Sequence, residues 1–318
     1  MNKIVQCVPN FSEGKDQSII DQIVLPLQNK KGVKLVGVEP DAIYNRTVVT
    51  IIGSPIEVKD AIVEAIGVAT KLIDMNKHSG EHKRMGATDV VPFIPIANMS
   101  IEEAVELSKE CAQAVNDKFD LPVFLYSNSA TKEDRVKLPT IRKGEFEGMA
   151  EKLKDPNWAP DYGLAKIHPT AGVVAIGCRP PLIAYNIDCK TMDEDAIKFI
   201  AKSIRQSGGG YKAIQAGPAV MDDFIQVTMN VIDYTQTSVY RAFEAVKMEA
   251  KRFDIEVTGS EFIGLVPRAC LEDIAAYYLK LRDTSSLKDY SLEQLKEIVD
   301  KNLGLRGFSL DKIIEYHI

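Results

Sequence analysis

Residues 48–74 read VVTIIGSPIEVKDAIVEAIGVATKLID, and residues 226–254 read QVTMNVIDYTQTSVYRAFEAVKMEAKRFD. Each is a β-branched run, a short turn, and a long stretch whose apolar residues recur every three to four positions. That is the pattern of a strand succeeded by an amphipathic helix. In the first copy Gly53-Ser54-Pro55 closes the strand, and Pro55 suits the first helical position because an N–H there would have no partner inside the helix. The helix is expected over Pro55–Asp74, with Ile56, Ala61, Ile62, Ala65, Ile66, Ala69 and Leu72 on one face. The segments C-terminal to the two copies are also alike: GATDVVPFIPIANMSIEEAV at 86–105 and GSEFIGLVPRACLEDIAAYY at 259–278, a glycine-led strand and another helix. Strands and helices in this order predict an α+β fold of two β-α-β-β-α-β units related by internal duplication.

Outward from these segments the periodicity predicts strands at Lys3–Val8, Val33–Val38, Thr47–Ile52, Val90–Ile96 and Pro122–Tyr126, with helices near Gln17–Gln28 and Ile101–Val115. From Asn128 to Pro160 the pattern dissolves into charges, prolines and glycine. Phe146 and Trp158 argue that this long connection packs against the body instead of moving freely. The second half resumes with strands around Val173–Ile176 and Leu182–Asp188 and a helix over Asp193–Gln206, which Ser207-Gly208-Gly209-Gly210 terminates. The two domains are expected to be 1–178 and 179–318.

A chain of 318 residues with 45% hydrophobic and 26% charged residues is an ordinary globular protein. Its net charge of -6 excludes a general role on nucleic acid or anionic membranes, which need basic surfaces. The N-terminal MNKIVQCVPNF has neither the apolar core nor the cleavage site of a secretory signal, and no apolar run approaches the ~20 residues that span a bilayer. Cys7, Cys111, Cys178, Cys189 and Cys270 are odd in number and widely spaced, so they read as packing thiols in a reducing cytoplasm.

Chemistry at neutral pH directs attention to the four histidines, His78, His82, His168 and His317. His317 is penultimate and expected to be exposed or disordered. His78 and His82 share one loop with Gly80 and Gly86, and His82 sits among Glu81, Lys83, Arg84 and Asp89. The order H-S-G-E-H lacks the H-E-x-x-H spacing of a zinc helix, so no metal is expected. Asn45-Arg46 precedes a strand, where the arginine either clamps a carboxylate bidentately or pairs with Glu39 or Asp41. Ser12 reads as an N-cap of the first helix. The loop GLAKIHPTAG, with its small residues, would let the backbone approach a flat ligand. Gly208–Gly210 is not a phosphate loop, since no G-K-[ST] comes after it.

Several motifs then converge. QCVPNFSEG, NRTVVT, GEHKRMGATDVVPFIPI, LPTIRKGEFEG, WAPDYGLAKIHPTAG, LIAYNI and the final GFSLDKIIEYHI resemble, in order and over the whole chain, the formiminotransferase domain of formiminotransferase-cyclodeaminases. The resemblance implies two ferredoxin-like subdomains facing a folate-binding groove, usually in a homodimer. It implies transfer of a formimino group between N-formimidoyl-L-glutamate and tetrahydrofolate, in cytoplasmic histidine degradation, with tetrahydrofolate as co-substrate and no metal. His82, within GEHKRMGA, falls on the family's catalytic histidine. The folate-binding segment falls on Gly163, Leu164, Ala165, Lys166, Ile167, His168, Pro169, Thr170, Ala171 and Gly172. Asn45 and Arg46 are the expected substrate-binding pair, with Arg84 a further candidate for holding carboxylates. The alternatives are a glutamate formyltransferase acting on N-formylglutamate, which acidic Glu39 or Asp41 near the reacting carbon would disfavour, and a non-catalytic folate-binding protein. Two departures stand out: Lys166–Ala171 differs from the vertebrate pattern, and Glu39 replaces an aspartate. The cyclodeaminase domain is expected to be absent, since the chain stops where that domain would begin.

Overall fold

A computed structural model describes residues 3–318. The duplicated segments form the strands and helices read from them. The chain divides into two compact units, one ending at Arg179 and one beginning at Pro180. The first contains β1 (Ile4–Cys7), β2 (Asn10–Phe11), α1 (Gln17–Val24), β3 (Val33–Asp41), β4 (Arg46–Gly53), α2 (Pro55–Leu72), β5 (Thr88–Ala97), α3 (Ile101–Phe119), β6 (Val123–Ser127), α4 (Leu138–Arg142), α5 (Glu145–Lys152) and β7 (Val174–Cys178). The second contains β8 (Ile183–Cys189), α6 (Glu194–Ile204), β9 (Ile214–Val220), β10 (Ile225–Val231), α7 (Val239–Lys251), β11 (Val257–Ile263), α8 (Arg268–Tyr278) and α9 (Leu292–Leu303).

In the first unit β1 and β2 act as one strand interrupted at Val8-Pro9, lying between β4 and β5 and antiparallel to both. With β3 beyond β4, the fourth strand of the repeat lies beside the first, then the third, then the second. The second unit repeats that order as β11-β8-β10-β9, all antiparallel. Both are the ferredoxin-like arrangement, so the duplication holds at the level of topology. The first sheet is extended by β7 and β6, which run parallel to β5. The strand expected to open the second half therefore closes the first. Its partners are remote in sequence, and periodicity cannot reveal them.

Helix α2 begins at Pro55 after Ser54 and packs Val58, Ala61, Ile62, Ala65, Ile66 and Ala69 against the sheet. Burying each of the larger side chains is worth about 1.5–3 kcal/mol. Ile56 and Leu72, expected on the same face, lie at its ends and are exposed. Helix α3 is started by a capping box between Ser100 and Glu103. Strands β6 and β7 alternate: Val123, Leu125, Val174 and Ile176 enter this core, while Phe124, Tyr126, Val173 and Ala175 face a smaller one on the opposite side. The 128–160 connection covers that second core through α4, α5 and Trp158, with Ile141 and Met149 buried and the Lys152 ammonium 3.7 Å above the indole. The second unit encloses its own core of Tyr185, Ile187, Val227, Phe243, Phe262 and Ile274.

All five cysteines are free and buried, and burial pushes the thiols up, Cys111 to about 12 and Cys178 and Cys189 to about 11. Among the described residues no helix is long and apolar enough to cross a membrane.

Candidate active site

Three loops meet at one end of β2, β4 and β5. Asn45 ends the four-residue connection between β3 and β4 with φ of 50°, a left-handed conformation that asparagine tolerates better than most residues. Its Oδ1 accepts from the Gly14 N–H (3.0 Å), its Nδ2 donates to the Ser79 carbonyl (2.8 Å), and its own carbonyl accepts from His78 Nε2 (2.9 Å). Asn45 thus fastens the loops carrying Gly14 and Ser79 to the β3–β4 turn. The N–H groups of Glu81 and His82 donate to the carbonyls of Ile43 and Tyr44, both at 3.3 Å. This approach requires Gly80, where a Cβ would stand 2.5 Å from the Tyr44 oxygen.

His78 and Arg84 turn out to be framework. With Nε2 donating to Asn45, His78 Nδ1 is left to accept from Arg84 Nε (3.2 Å), and burial holds its pKa below the ordinary histidine value. The Arg84 guanidinium is also bonded to Glu145 (3.1 Å) and, through two nitrogens, to Glu147 (2.9 and 2.6 Å). It is 6% exposed and its donors face protein groups, so the expectation that it holds substrate carboxylates is corrected. It instead ties the His82 loop to α5.

His82 lies with one ring edge toward β4 and the other toward β5. Nδ1 stands 3.3 Å from Arg46 Nη1. Nε2 stands 3.4 Å from Asn10 Nδ2 and 3.6 Å from Asp89 Oδ2. Asp89 is brought there by a register shift. Asn10 pairs with Val90 and Phe11 with Thr88, so β5 has one residue more than β2 at this point. The extra residue is Asp89, and such bulges re-aim a side chain beside a site. Its carboxylate is fully buried, accepts from the Met85 N–H (3.0 Å), and forms an ion pair with Arg142 at the end of α4. Burial alone would raise its pKa. The His82 ring facing it and the Arg142 guanidinium outweigh that and hold it below the usual carboxylate range.

Among the described residues no carboxylate lies within ion-pair range of Arg46, which rests 5.1 Å from the centre of the Tyr44 ring. The alternative of a pair with Glu39 or Asp41 is therefore not realised. Asp41 accepts from the N–H groups of Ile43 and Tyr44 and holds the turn. The carboxylate nearest His82 is Asp89. Ser12 does not cap α1, since Asp16 does; its hydroxyl donates to the Gly86 carbonyl (2.7 Å). His317 is half-buried, with Nε2 2.6 Å from the Asp311 carbonyl, so it is neither exposed nor disordered.

The segment Gly163–Gly172 runs up to the same loop. Ala171 accepts from the Ala87 N–H (2.9 Å), and Gly172 forms a bridge with Gly86. His168 Nδ1 accepts from the Ala171 and Thr170 N–H groups (3.0 and 3.3 Å), fixing the end of the segment. Pro169 and Thr170 carbonyls are bound by Asn76 and Met75. Gly163, Leu164, Ala165 and Lys166 are exposed, Leu164 by 80%, and Ile167 is half-buried.

Asn10 and Arg142 were not among the expected site residues, although both lie inside the motifs PNFSEG and LPTIRKG. Residues 4–179 match the family model of the formiminotransferase domain, N-terminal subdomain, and residues 184–318 that of the formiminotransferase domain. A glutamate formimidoyltransferase of Streptococcus pyogenes serotype M1 is 48% identical over 89% of this chain and 95% of its own. One from Thermoplasma acidophilum is 36% identical over 92% of this chain and 98% of its own. A formimidoyltransferase-cyclodeaminase of Dictyostelium discoideum is 42% identical over 100% of this chain, which spans 61% of that protein. Matching both subdomain models in order and sharing near half its residues with a curated relative, the chain belongs to the formiminotransferase family and is a transferase.

Proposed function

We propose that this protein is a glutamate formimidoyltransferase that moves the formimino group between N-formimidoyl-L-glutamate and tetrahydrofolate. The observation that carries the reading is a half-buried imidazole held between a buried carboxylate and an arginine that has no carboxylate of its own. Arg46 takes a glutamate carboxylate bidentately, and Asn45 holds the turn from which it projects. Tetrahydrofolate, the co-substrate, lies along Gly163–Gly172, which abuts the His82 loop. N5 of tetrahydrofolate attacks the amidine carbon, and a tetrahedral intermediate forms. His82 accepts the proton lost from N5 and returns it to the glutamate nitrogen, whose bond to carbon then breaks. The products are L-glutamate and 5-formimidoyltetrahydrofolate. Proton transfer of this kind is worth ~10²–10⁴-fold, and holding the two reactants together supplies much of the rest. The family resemblance also carries the expectations of a homodimer and of a place in cytoplasmic histidine degradation.

The test is His82→Ala. Asp89 keeps its bonds to Arg142 and the Met85 N–H, so the fold should survive. Turnover of N-formimidoylglutamate with tetrahydrofolate should fall ~10²-fold or more with substrate binding nearly unchanged. Wild-type turnover in the folded variant would remove His82 from the mechanism. Parallel assays with N-formylglutamate separate formimino from formyl transfer.

A further inference from the structure

We infer that Asp89, held by Arg142 and the Met85 amide, is the positioning residue that fixes which nitrogen of His82 exchanges its proton: Nε2 keeps its hydrogen and Nδ1 does the transfer. This assignment rests on His82 being the acid–base group and goes beyond it by naming the nitrogen and the residue that selects it.

Three groups converge on the Asp89 carboxylate. The Met85 N–H reaches Oδ1, and both Arg142 Nη2 and His82 Nε2 face Oδ2. An amide N–H and a guanidinium can only donate. Both therefore take lone pairs of the carboxyl, and the Arg142 guanidinium paired with it favours the ionised, acceptor-only form. An acceptor-only oxygen facing Nε2 requires a hydrogen there, in the neutral ring as well as the protonated one. The groups on the other side agree. Arg46 Nη1 is a donor, so the Nδ1 it faces at 3.3 Å is the lone-pair nitrogen of a neutral ring.

Asn10 supplies an independent indication. Its Oδ1 is buried without a partner while its Nδ2 stands 3.4 Å from Nε2, a placement that suits a bare Nε2 only by leaving the oxygen orphaned. Turning the amide by 180° puts Oδ1 where Nδ2 stands and gives the orphaned oxygen the Nε2 hydrogen. The charged groups facing the ring are Arg46 from β4 and Asp89 from β5, with Arg142 from α4 behind the carboxylate. When a substrate carboxylate draws Arg46 toward itself, Nδ1 is freed on the side away from Asp89. An asparagine at position 89 cannot substitute. With three donors around it, its NH₂ must face one of them, and a ring that loses its acceptor is free to carry the hydrogen on Nδ1 instead.

The experiment is ¹⁵N NMR of enzyme labelled in its four histidines, with the His82 signals identified by their loss in His82→Ala. The neutral His82 ring should carry its hydrogen on Nε2 and show a bare Nδ1. A hydrogen found on Nδ1 overturns the assignment even if His82→Ala is inactive, whereas an active His82→Ala defeats the underlying reading. In Asp89→Asn, kcat should fall ~10²-fold or more, KM for both substrates should stay within about threefold, and the Nδ1–H form should become populated. A merely structural role predicts a changed melting temperature with the tautomer intact, and an Asp89→Asn enzyme of normal kcat and unchanged tautomer also overturns the proposal. If Asp89→Asn does not fold, the spectrum of the unaltered enzyme decides alone.

Discussion

Arg46 is the residue at which a loss of binding and a loss of fold separate most cleanly. In the folded protein its guanidinium makes one long contact, 3.3 Å to His82, and lies 5.1 Å from the ring centre of Tyr44, which is 45% exposed. Such a cation–π contact is worth about 0.5–1 kcal/mol, and a hydrogen bond from a charged donor, at the low end when as long as this one, about 1.5 kcal/mol. Arg46→Met should therefore cost at most ~2.5 kcal/mol of stability. Its effect on substrate should be larger. Two charge-assisted bonds to a carboxylate contribute about 1.5–3 kcal/mol each, and lysine at this position keeps one of them. Arg46→Lys should then raise KM roughly ten- to hundred-fold, since about 1.4 kcal/mol is a factor of ten, and Arg46→Met should raise it further. The assay varies N-formimidoylglutamate at saturating tetrahydrofolate, then reverses the roles, beside a thermal melt of each variant. A rise confined to the folate KM would reassign Arg46 to the glutamyl tail of the folate. Unchanged KM for both substrates in a folded Arg46→Met would refute the clamp altogether.

The geometry sets two more expected outcomes. Gly172 has φ of 72°, and a Cβ there would stand 2.3 Å from the Met85 carbonyl, so Gly172→Val should fail by unfolding and says nothing about folate. The exposed Leu164 is the better probe: Leu164→Ser should weaken folate binding in calorimetry while stability moves by no more than ~0.5 kcal/mol, and unchanged affinity would move the ligand away from this segment. The folded-state pKa of Asp89 is depressed, so its stabilising contribution is complete above the unfolded value of ~3.9 and is lost as pH falls below it through the folded value. In urea titrations the stability gap between wild type and Asp89→Asn should narrow as pH falls below ~4; a gap that stays level or widens there would contradict a depressed carboxyl.

The duplication was legible because each copy runs from a β-branched third strand into an amphipathic second helix, although the turn is one residue in the first copy and seven in the second and the helices have 18 and 13 residues. Local periodicity carries that much. It did not carry α4 and α5, which are short, interrupted by Pro139 and Gly144, and stabilised by contact with β6 and β7 instead of by their own pattern. It gave β7 as a strand but not its place, because the parallel pairing with β5 joins residues more than eighty positions apart. The His82 loop was marked by its motif, but the surroundings of its ring were not. Asp89 faces the ring only because β5 has one residue more than β2, and Arg142 reaches it from 53 positions away. Nor could the sequence show that the Asn45 side chain and carbonyl are bonded to other loops and so fix the turn from which Arg46 projects.

The second unit shows what the site looks like when the same scaffold is closed on itself. There too the fourth strand has an extra residue opposite the first, Thr258, between the pairs Val257–Cys189 and Gly259–Asp188. The position on the first strand that corresponds to Asn10 is Asp188, since each lies between a residue of the third strand and one beside the bulge. In the second unit both oxygens of that carboxylate are occupied, by Gln226 (2.8 Å) and by the Arg306 guanidinium (2.8 and 3.1 Å), and the bulge residue points to solvent. In the first unit the bulge residue is a buried aspartate, the corresponding amide finds no partner for its oxygen within the sheet, and a histidine supplied by a loop fills the space between. On the proposed mechanism that difference is the use of the duplication: two copies build the cores, and only one leaves its bulge incomplete enough for a proton to be moved.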